Sequence, residues 1–90
     1  MMKRYHVFIS GRVQGVFFRN TTRKKAQELG VNGWVKNLED GRVEAVFEGS
    51  KEKIDAMIDF CEIGPRLANV EKVEVSEEEP ENLDTFKVKR

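Results

Sequence analysis

The chain has 90 residues, of which 39% are hydrophobic and 36% are charged. That length suffices for one hydrophobic core, so residues 1–90 are expected to form a single domain with a charged surface. The 16 basic and 16 acidic side chains cancel, which excludes the global positive field that recruits nucleic acid or an anionic membrane. Cys61 is the only cysteine, so neither an intramolecular disulfide nor a cysteine-based metal site can form.

Targeting signals are missing from the sequence. No apolar run reaches the length of a membrane span, and Met1 to Arg4 leads into a predicted strand instead of a signal-peptide core. We therefore expect a cytoplasmic protein. No exposed apolar stripe argues for a dimer, so a monomer is expected.

The first third of the chain predicts a strand, a turn and a helix. The strand covers Arg4 to Ser10, with Val7 and Ile9 facing the core and His6 exposed on the outer face. A turn over Gly11 to Val16 follows. The next helix carries one apolar stripe, which consists of Phe18, Thr22, Ala26 and Leu29, and Gly30 is its expected C-cap.

This strand-to-helix turn is a candidate anion site. Gly11 and Gly15 can adopt positive φ, and the first N–H groups of a helix lack intrahelical partners. Together with the helix dipole, such donors bind anions. Arg19 could add two parallel hydrogen bonds to a phosphate or carboxylate. The spacing alone equally fits a tight connection that is followed by a surface arginine.

The middle of the chain predicts two strands joined by a hairpin turn. The second strand covers Val31 to Leu38, with Trp34 and Val35 on opposite faces, and Asp40-Gly41 is the turn signal. The third strand covers Arg42 to Glu48. Its predicted core residues are Val43, Ala45 and Phe47, and its predicted solvent-facing residues are Glu44 and Glu48.

The last third predicts a helix and two strands. Ser50 is the expected N-cap of the helix, whose amphipathic stripe consists of Ile54, Met57, Ile58 and Cys61. Gly64-Pro65 ends this helix. The fourth strand covers Leu67 to Glu77 and is expected to be irregular near Val70, because that residue is out of phase with the valines that follow. A short last strand covers Thr85 to Lys89.

The order of these elements is β-α-β-β-α-β with a short extra C-terminal strand. It predicts an α+β ferredoxin-like plait, in which an antiparallel sheet carries two helices on one face. A plait can also bind RNA on its sheet. Phe8 and Trp34 are the only outward aromatic residues, however, and the third strand turns glutamates outward, so we expect no nucleic-acid partner.

Two segments of the chain resemble the signature motifs of the acylphosphatase family. The segment from Gly11 to Arg19 (GRVQGVFFR) resembles the first motif. The segment from Gly33 to Asn37 (GWVKN) resembles the second, and it is followed by glycines and a valine at the family's spacing. The similarity covers nearly the whole chain. Leu38 stands where some relatives have threonine, so a hydrogen bond next to Asn37 is expected to be missing.

The resemblance implies hydrolysis of the carboxyl-phosphate bond of acyl phosphates, without a metal or other cofactor, to a carboxylate and inorganic phosphate. Carried over by position, Arg19 would bind the phosphoryl group and Asn37 would orient the attacking water. The implied substrate-binding segment consists of Gln14, Gly15, Val16, Phe17, Phe18 and Arg19. The alternative is a non-catalytic module that binds phosphate or carbamoyl phosphate, because similar domains occur within larger carbamoyl-transfer maturation enzymes.

Overall fold

The computed structural model describes residues 1–90 and contains the predicted elements in the predicted order. They are β1 (Lys3–Arg12), α1 (Phe18–Leu29), β2 (Asn32–Asn37), β3 (Val43–Gly49), α2 (Lys51–Ile63), β4 (Asn69–Glu78) and β5 (Phe86–Val88). The predicted ferredoxin-like plait is confirmed, with differences of a few residues at the strand ends. Neither helix is long and apolar enough to span a bilayer.

The five strands form one sheet in the order β4-β1-β3-β2-β5. The first four strands pair antiparallel, as predicted. The last strand differs, because β5 pairs parallel with β2, with Gly33 opposite Phe86 and Val35 opposite Val88. The reason is the direction of the chain. β4 and β2 run antiparallel, so β4 stops at the same end of the sheet at which β2 starts. The chain crosses the sheet at this end and therefore enters β5 in the same direction as β2.

The core lies between one face of the sheet and the two helices. The sheet contributes Val7 and Ile9, as well as the alternating residues of β3, and these side chains are fully buried. From α2 come Ile54, Met57 and Cys61, as its amphipathic pattern predicts. Burial raises the pKa of the Cys61 thiol well above its ordinary value. Cys61 is therefore a packing residue in its neutral form.

Local signals at the helix ends and in β4 are confirmed. Gly30 adopts φ 73° and its N–H bonds to the end of α1, while the Ser50 side chain accepts a hydrogen bond from the Lys53 N–H at the start of α2. Between β1 and β4 the pairing shifts, so that Ser10 lies opposite Lys72 and Gly11 lies opposite Val70. One residue of β4 is thereby left over, which is a β-bulge at the predicted place.

Two predictions about the outer face of the sheet are wrong. Glu48, predicted to face solvent, is only 1% exposed. The segment that follows β4 crosses over it, and Glu48 accepts hydrogen bonds from the N–H groups of Glu81 (2.7 Å) and Leu83 (2.8 Å). Arg4 Nη1 donates a third bond at 3.0 Å. Desolvation raises the pKa of Glu48, but these three donors outweigh it and hold the pKa below 4.5.

His6 lies on the predicted outer face but is less exposed than predicted. Its side chain is 18% exposed, because it lies between two carboxylates on the outer face and stacks on the Phe8 ring at 5.0 Å. Nε2 lies 2.6 Å from Glu44 Oε2, and Nδ1 lies 2.8 Å from Glu78 Oε2. Strand periodicity placed His6 on the correct face, but it carries no information about the neighbouring strands that enclose the ring.

Candidate active site

The loop that joins β1 to α1 covers residues 13–17 and is held to the core by two valines. Val13 and Val16 are buried, so the loop closes over the end of the sheet with fixed ends. Gly15, which lies between the two valines, has φ 74°, and Phe17, which follows Val16, has φ 65°. Glycine adopts this left-handed conformation without steric cost, whereas phenylalanine does not. The two left-handed residues turn the chain from β1 into the first turn of α1.

The backbone N–H groups of residues 14–20 donate to no acceptor within the chain. Helix α1 also lacks a side-chain cap, in contrast to α2, whose first turn is capped by Ser50. Free donors at a helix N-terminus, reinforced by the positive end of the helix dipole, attract an anion. We refer to residues 14–20 as the amide cradle.

Arg19 lies in the first turn of α1, within the amide cradle. Its Nη1 lies 3.5 Å from the backbone oxygen of Lys89, which is the outer limit of a hydrogen bond, and it forms no salt bridge within 4.0 Å. Most of its five donors are therefore free for a ligand. A planar guanidinium beside free amides suits a tetrahedral anion with several oxygens.

Asn37 is the last residue of β2 and borders the same cavity. Its Oδ1 is the only buried side-chain polar atom of the chain without a hydrogen-bond partner. An unpaired buried polar group costs roughly 1–3 kcal/mol, so such atoms are rare outside functional sites. The neighbouring Leu38 side chain has no donor to offer. The acceptor of Asn37 is thus unused within the chain.

Gln14 connects the amide cradle to the turn between β2 and β3. Its Nε2 donates to the backbone oxygens of Leu38 at 2.7 Å and Arg42 at 2.9 Å. Because Leu38 follows Asn37 directly, these two bonds fix the position of Asn37 relative to the cradle. The resemblance predicts Gln14 as a substrate-binding residue, but the sequence contains no signal for this connecting role of its side chain.

The cradle, Arg19 and Asn37 border one cavity of about 710 Å³. Of the residues predicted for the site, it is lined by Gly15, Phe17, Phe18, Arg19 and Asn37. Gln14 and Val16 belong to the loop but do not line the cavity. The sequence did not identify the other lining residues, which are Val13, Asn20, Arg23, Val88 and Arg90.

The lining residues determine the charge of the cavity. It is bordered by three arginines and by no aspartate, glutamate, histidine or cysteine side chain. Nor does the chain contain a group of three or more histidine, cysteine, aspartate or glutamate side chains arranged to hold a metal ion. Guanidinium groups and free amides bind anions, and they are not metal ligands. The donor set of this cavity therefore suits phosphate or carboxylate.

The fold and the cavity together define a small α+β protein whose cavity, at an uncapped helix N-terminus, has the donor set that suits an anion. A family model described as Acylphosphatase matches residues 5–88, and the chain belongs to the acylphosphatase family. Its function is that of an acylphosphatase, a hydrolase. An acylphosphatase from Haloarcula marismortui is 60% identical over 86 residues, which cover 96% of this chain and 94% of that protein.

Solved structures agree with the family assignment. An acylphosphatase from Coxiella burnetii is 43% identical and superimposes with a TM-score of 0.94 over 98% of this chain and 93% of its own. The acylphosphatase from Bacillus subtilis is 32% identical and has a TM-score of 0.95 over the full length of both chains. The chain is therefore similar in both sequence and fold to proteins of this family over essentially its whole length.

Proposed function

We propose that this chain hydrolyses the carboxyl-phosphate bond of small acyl phosphates in the cavity described above, without a metal ion. The amide cradle and Arg19 bind the phosphoryl group, and Asn37 holds the attacking water. The observation that carries this proposal is the unpaired, buried Oδ1 of Asn37, a residue that lines the same cavity as Arg19 and the residues of the cradle.

An acyl phosphate needs little chemical assistance. Its leaving group is a carboxylate, which departs without protonation by a strong acid. Phosphoryl transfer then depends mainly on positioning and on stabilisation of charge on the equatorial oxygens. The cradle amides and Arg19 supply that stabilisation, which a magnesium ion supplies in many other phosphoryl-transfer sites.

Asn37 acts by position and not by proton transfer. Its amide does not titrate near neutral pH, so it cannot be a general base. Oδ1 can accept a hydrogen bond from water and thereby hold the water oxygen towards phosphorus, opposite the leaving carboxylate. No histidine, aspartate or glutamate side chain lines the cavity to remove the proton. The proton of the water passes to an oxygen of the substrate phosphate itself.

The first experiment replaces the two key side chains separately. Arg19→Ala should weaken inhibition by inorganic phosphate and nearly abolish turnover, because Arg19 contacts phosphate in the substrate, transition state and product. Arg19→Lys should recover little of the turnover or of the phosphate inhibition, because an ammonium group lacks the parallel N–H donors of a planar guanidinium. Asn37→Ala should lower kcat by roughly two to three orders of magnitude while phosphate still binds.

Acetyl phosphate turnover and phosphate inhibition, measured on folded variants, provide the two readouts. Arg66→Ala is the matched control, because Arg66 is exposed, forms no salt bridge and lies outside the cavity lining. Equal loss of phosphate binding in Asn37→Ala and Arg19→Ala would make Asn37 a phosphate ligand and contradict the division of roles.

A second experiment tests the metal-free mechanism. Turnover of acetyl phosphate should persist when a chelator is present in excess. If the chelator abolishes turnover and added Mg²⁺ or Zn²⁺ restores it, the metal-free mechanism is refuted. A protein that binds phosphate but turns over no acyl phosphate would be the non-catalytic module.

A further inference from the structure

Phe17 combines two unfavourable features at one position. Its backbone lies in the left-handed region, with φ 65° and ψ 21°, and its side chain is 70% exposed. Glycine or asparagine adopts this conformation more readily than any bulky residue. An exposed aromatic ring also contributes little to folding. Neither the backbone conformation nor the core therefore accounts for a phenylalanine at this position.

Phe17 is joined to the first turn of α1 through its backbone oxygen. That oxygen accepts a hydrogen bond from the Thr21 N–H at 3.1 Å and another from the Thr21 hydroxyl at 2.8 Å. Phe17 thus adopts its unfavourable backbone conformation at the anchored start of a helix. Backbone strain next to a candidate binding site points to a functional role for the residue that carries it.

Phe17 lines the cavity, whose lining includes apolar as well as polar residues. Arg19 and Asn37 line the polar part, where the phosphoryl group would be bound. Phe17, Phe18, Val13 and Val88 supply all of the hydrophobic lining. Val13 and Phe18 are buried and Val88 is partly buried, whereas Phe17 is the one hydrophobic lining residue that remains largely exposed.

We infer that Phe17 forms the wall against which the acyl group of the substrate packs, so that the site favours acyl phosphates with aromatic or extended apolar acyl groups. The inference rests on the proposed function, because only a phosphoryl group anchored at Arg19 brings the acyl group to this wall. An aromatic or aliphatic acyl group gains contact area there, whereas an acetyl group is too small to cover the ring.

The test compares benzoyl phosphate with acetyl phosphate in the wild-type protein and in Phe17→Asn. Asparagine tolerates the left-handed conformation and removes the ring. The ratio of kcat/KM for benzoyl phosphate to kcat/KM for acetyl phosphate should fall about tenfold, as expected for a change of apolar contact in a binding pocket. The change should appear mainly in KM, because the acyl group keeps the same contact in the ground and transition states.

The ratio matters because Phe17 also belongs to the amide cradle, and any effect of the substitution on the cradle influences both substrates alike. Phe17→Leu should retain most of the wild-type ratio. Ile63→Ala is the matched control, because Ile63 is 76% exposed and does not line the cavity; its ratio should equal that of the wild type.

Three outcomes decide the inference. A tenfold lower ratio in Phe17→Asn, with the ratio kept in Phe17→Leu, supports it. An unchanged ratio in Phe17→Asn overturns the acyl wall while leaving the proposed function intact, provided that the wild type hydrolyses acetyl phosphate. A wild-type protein that hydrolyses neither substrate overturns both proposals.

Discussion

The buried carboxylate of Glu48 offers a quantitative test of how the segment that follows β4 is held on the sheet. The change is Glu48→Gln, which keeps the size of the side chain but removes its charge and one acceptor oxygen. In the native structure Oε2 accepts from Arg4 Nη1 and the Glu81 N–H, and Oε1 accepts from the Leu83 N–H. An amide has one oxygen, so its NH₂ group must face at least one of these donors.

The expected cost follows from those contacts. One buried N–H group without an acceptor costs roughly 1–3 kcal/mol, and loss of the charge weakens the bond from Arg4 by about another 1 kcal/mol. Arg4 is itself almost fully buried and keeps its contact with Glu78 at 3.0 Å. We therefore expect Glu48→Gln to lower the free energy of unfolding at pH 7 by about 2–4 kcal/mol.

The effect should depend on pH in a defined direction. The pKa of Glu48 in the folded protein lies below its ordinary value of 4.5. A carboxyl group with a lowered folded-state pKa stabilises the protein above its unfolded-state pKa, and this contribution is lost as the pH falls through the folded-state value. Glutamine makes no such contribution. The stability difference between wild type and variant should therefore shrink below about pH 4.5.

Urea unfolding at pH 7 and at pH 3 measures both quantities. Glu79→Gln is the matched control, because Glu79 directly follows β4, is exposed and forms no salt bridge; the stability of this variant should stay close to that of the wild type. A Glu48→Gln protein as stable as the wild type at pH 7 would refute the account of the three hydrogen bonds. A stability difference that stays constant between the two pH values would refute the role of the charge.

Two further substitutions test the core and the site. Cys61→Ser places a hydroxyl in the core, so the free energy of unfolding should fall by about 1–3 kcal/mol, while turnover per folded molecule stays nearly unchanged, because Cys61 does not line the cavity. Chemical denaturation and acetyl phosphate turnover check both values, and a trapped acyl- or phospho-cysteine would contradict direct attack by water. Gln14→Ala removes the two bonds that fix the turn after Asn37, so kcat should fall by about 10- to 100-fold with a smaller change in phosphate inhibition. Steady-state kinetics with phosphate as inhibitor measure the effect, and an unchanged kcat would show that Asn37 is positioned by β2 alone.

Much of the fold followed from local patterns. The apolar alternation in β1 and β3 and the stripe in α2 identified the buried faces, because each residue's place on a strand or helix determines which side it turns to the core. Gly30 and Ser50 marked helix ends, because capping depends on the conformation and chemistry of one residue. Arg19 and Asn37 were predicted as site residues from the two signature motifs, which combine identity and spacing and require no knowledge of the packing.

Other features were decided only by tertiary structure. Periodicity places Glu48 and His6 on the outer face of the sheet, but whether that face is open depends on where distant segments cross it. The segment after β4 covers Glu48, and Glu44 and Glu78 enclose His6. In the same way, parallel pairing of β5 with β2 brings Val88 and Arg90 to the cavity. Contacts between residues far apart in the chain depend on how strands pair, and a local pattern records only which face each strand turns inward.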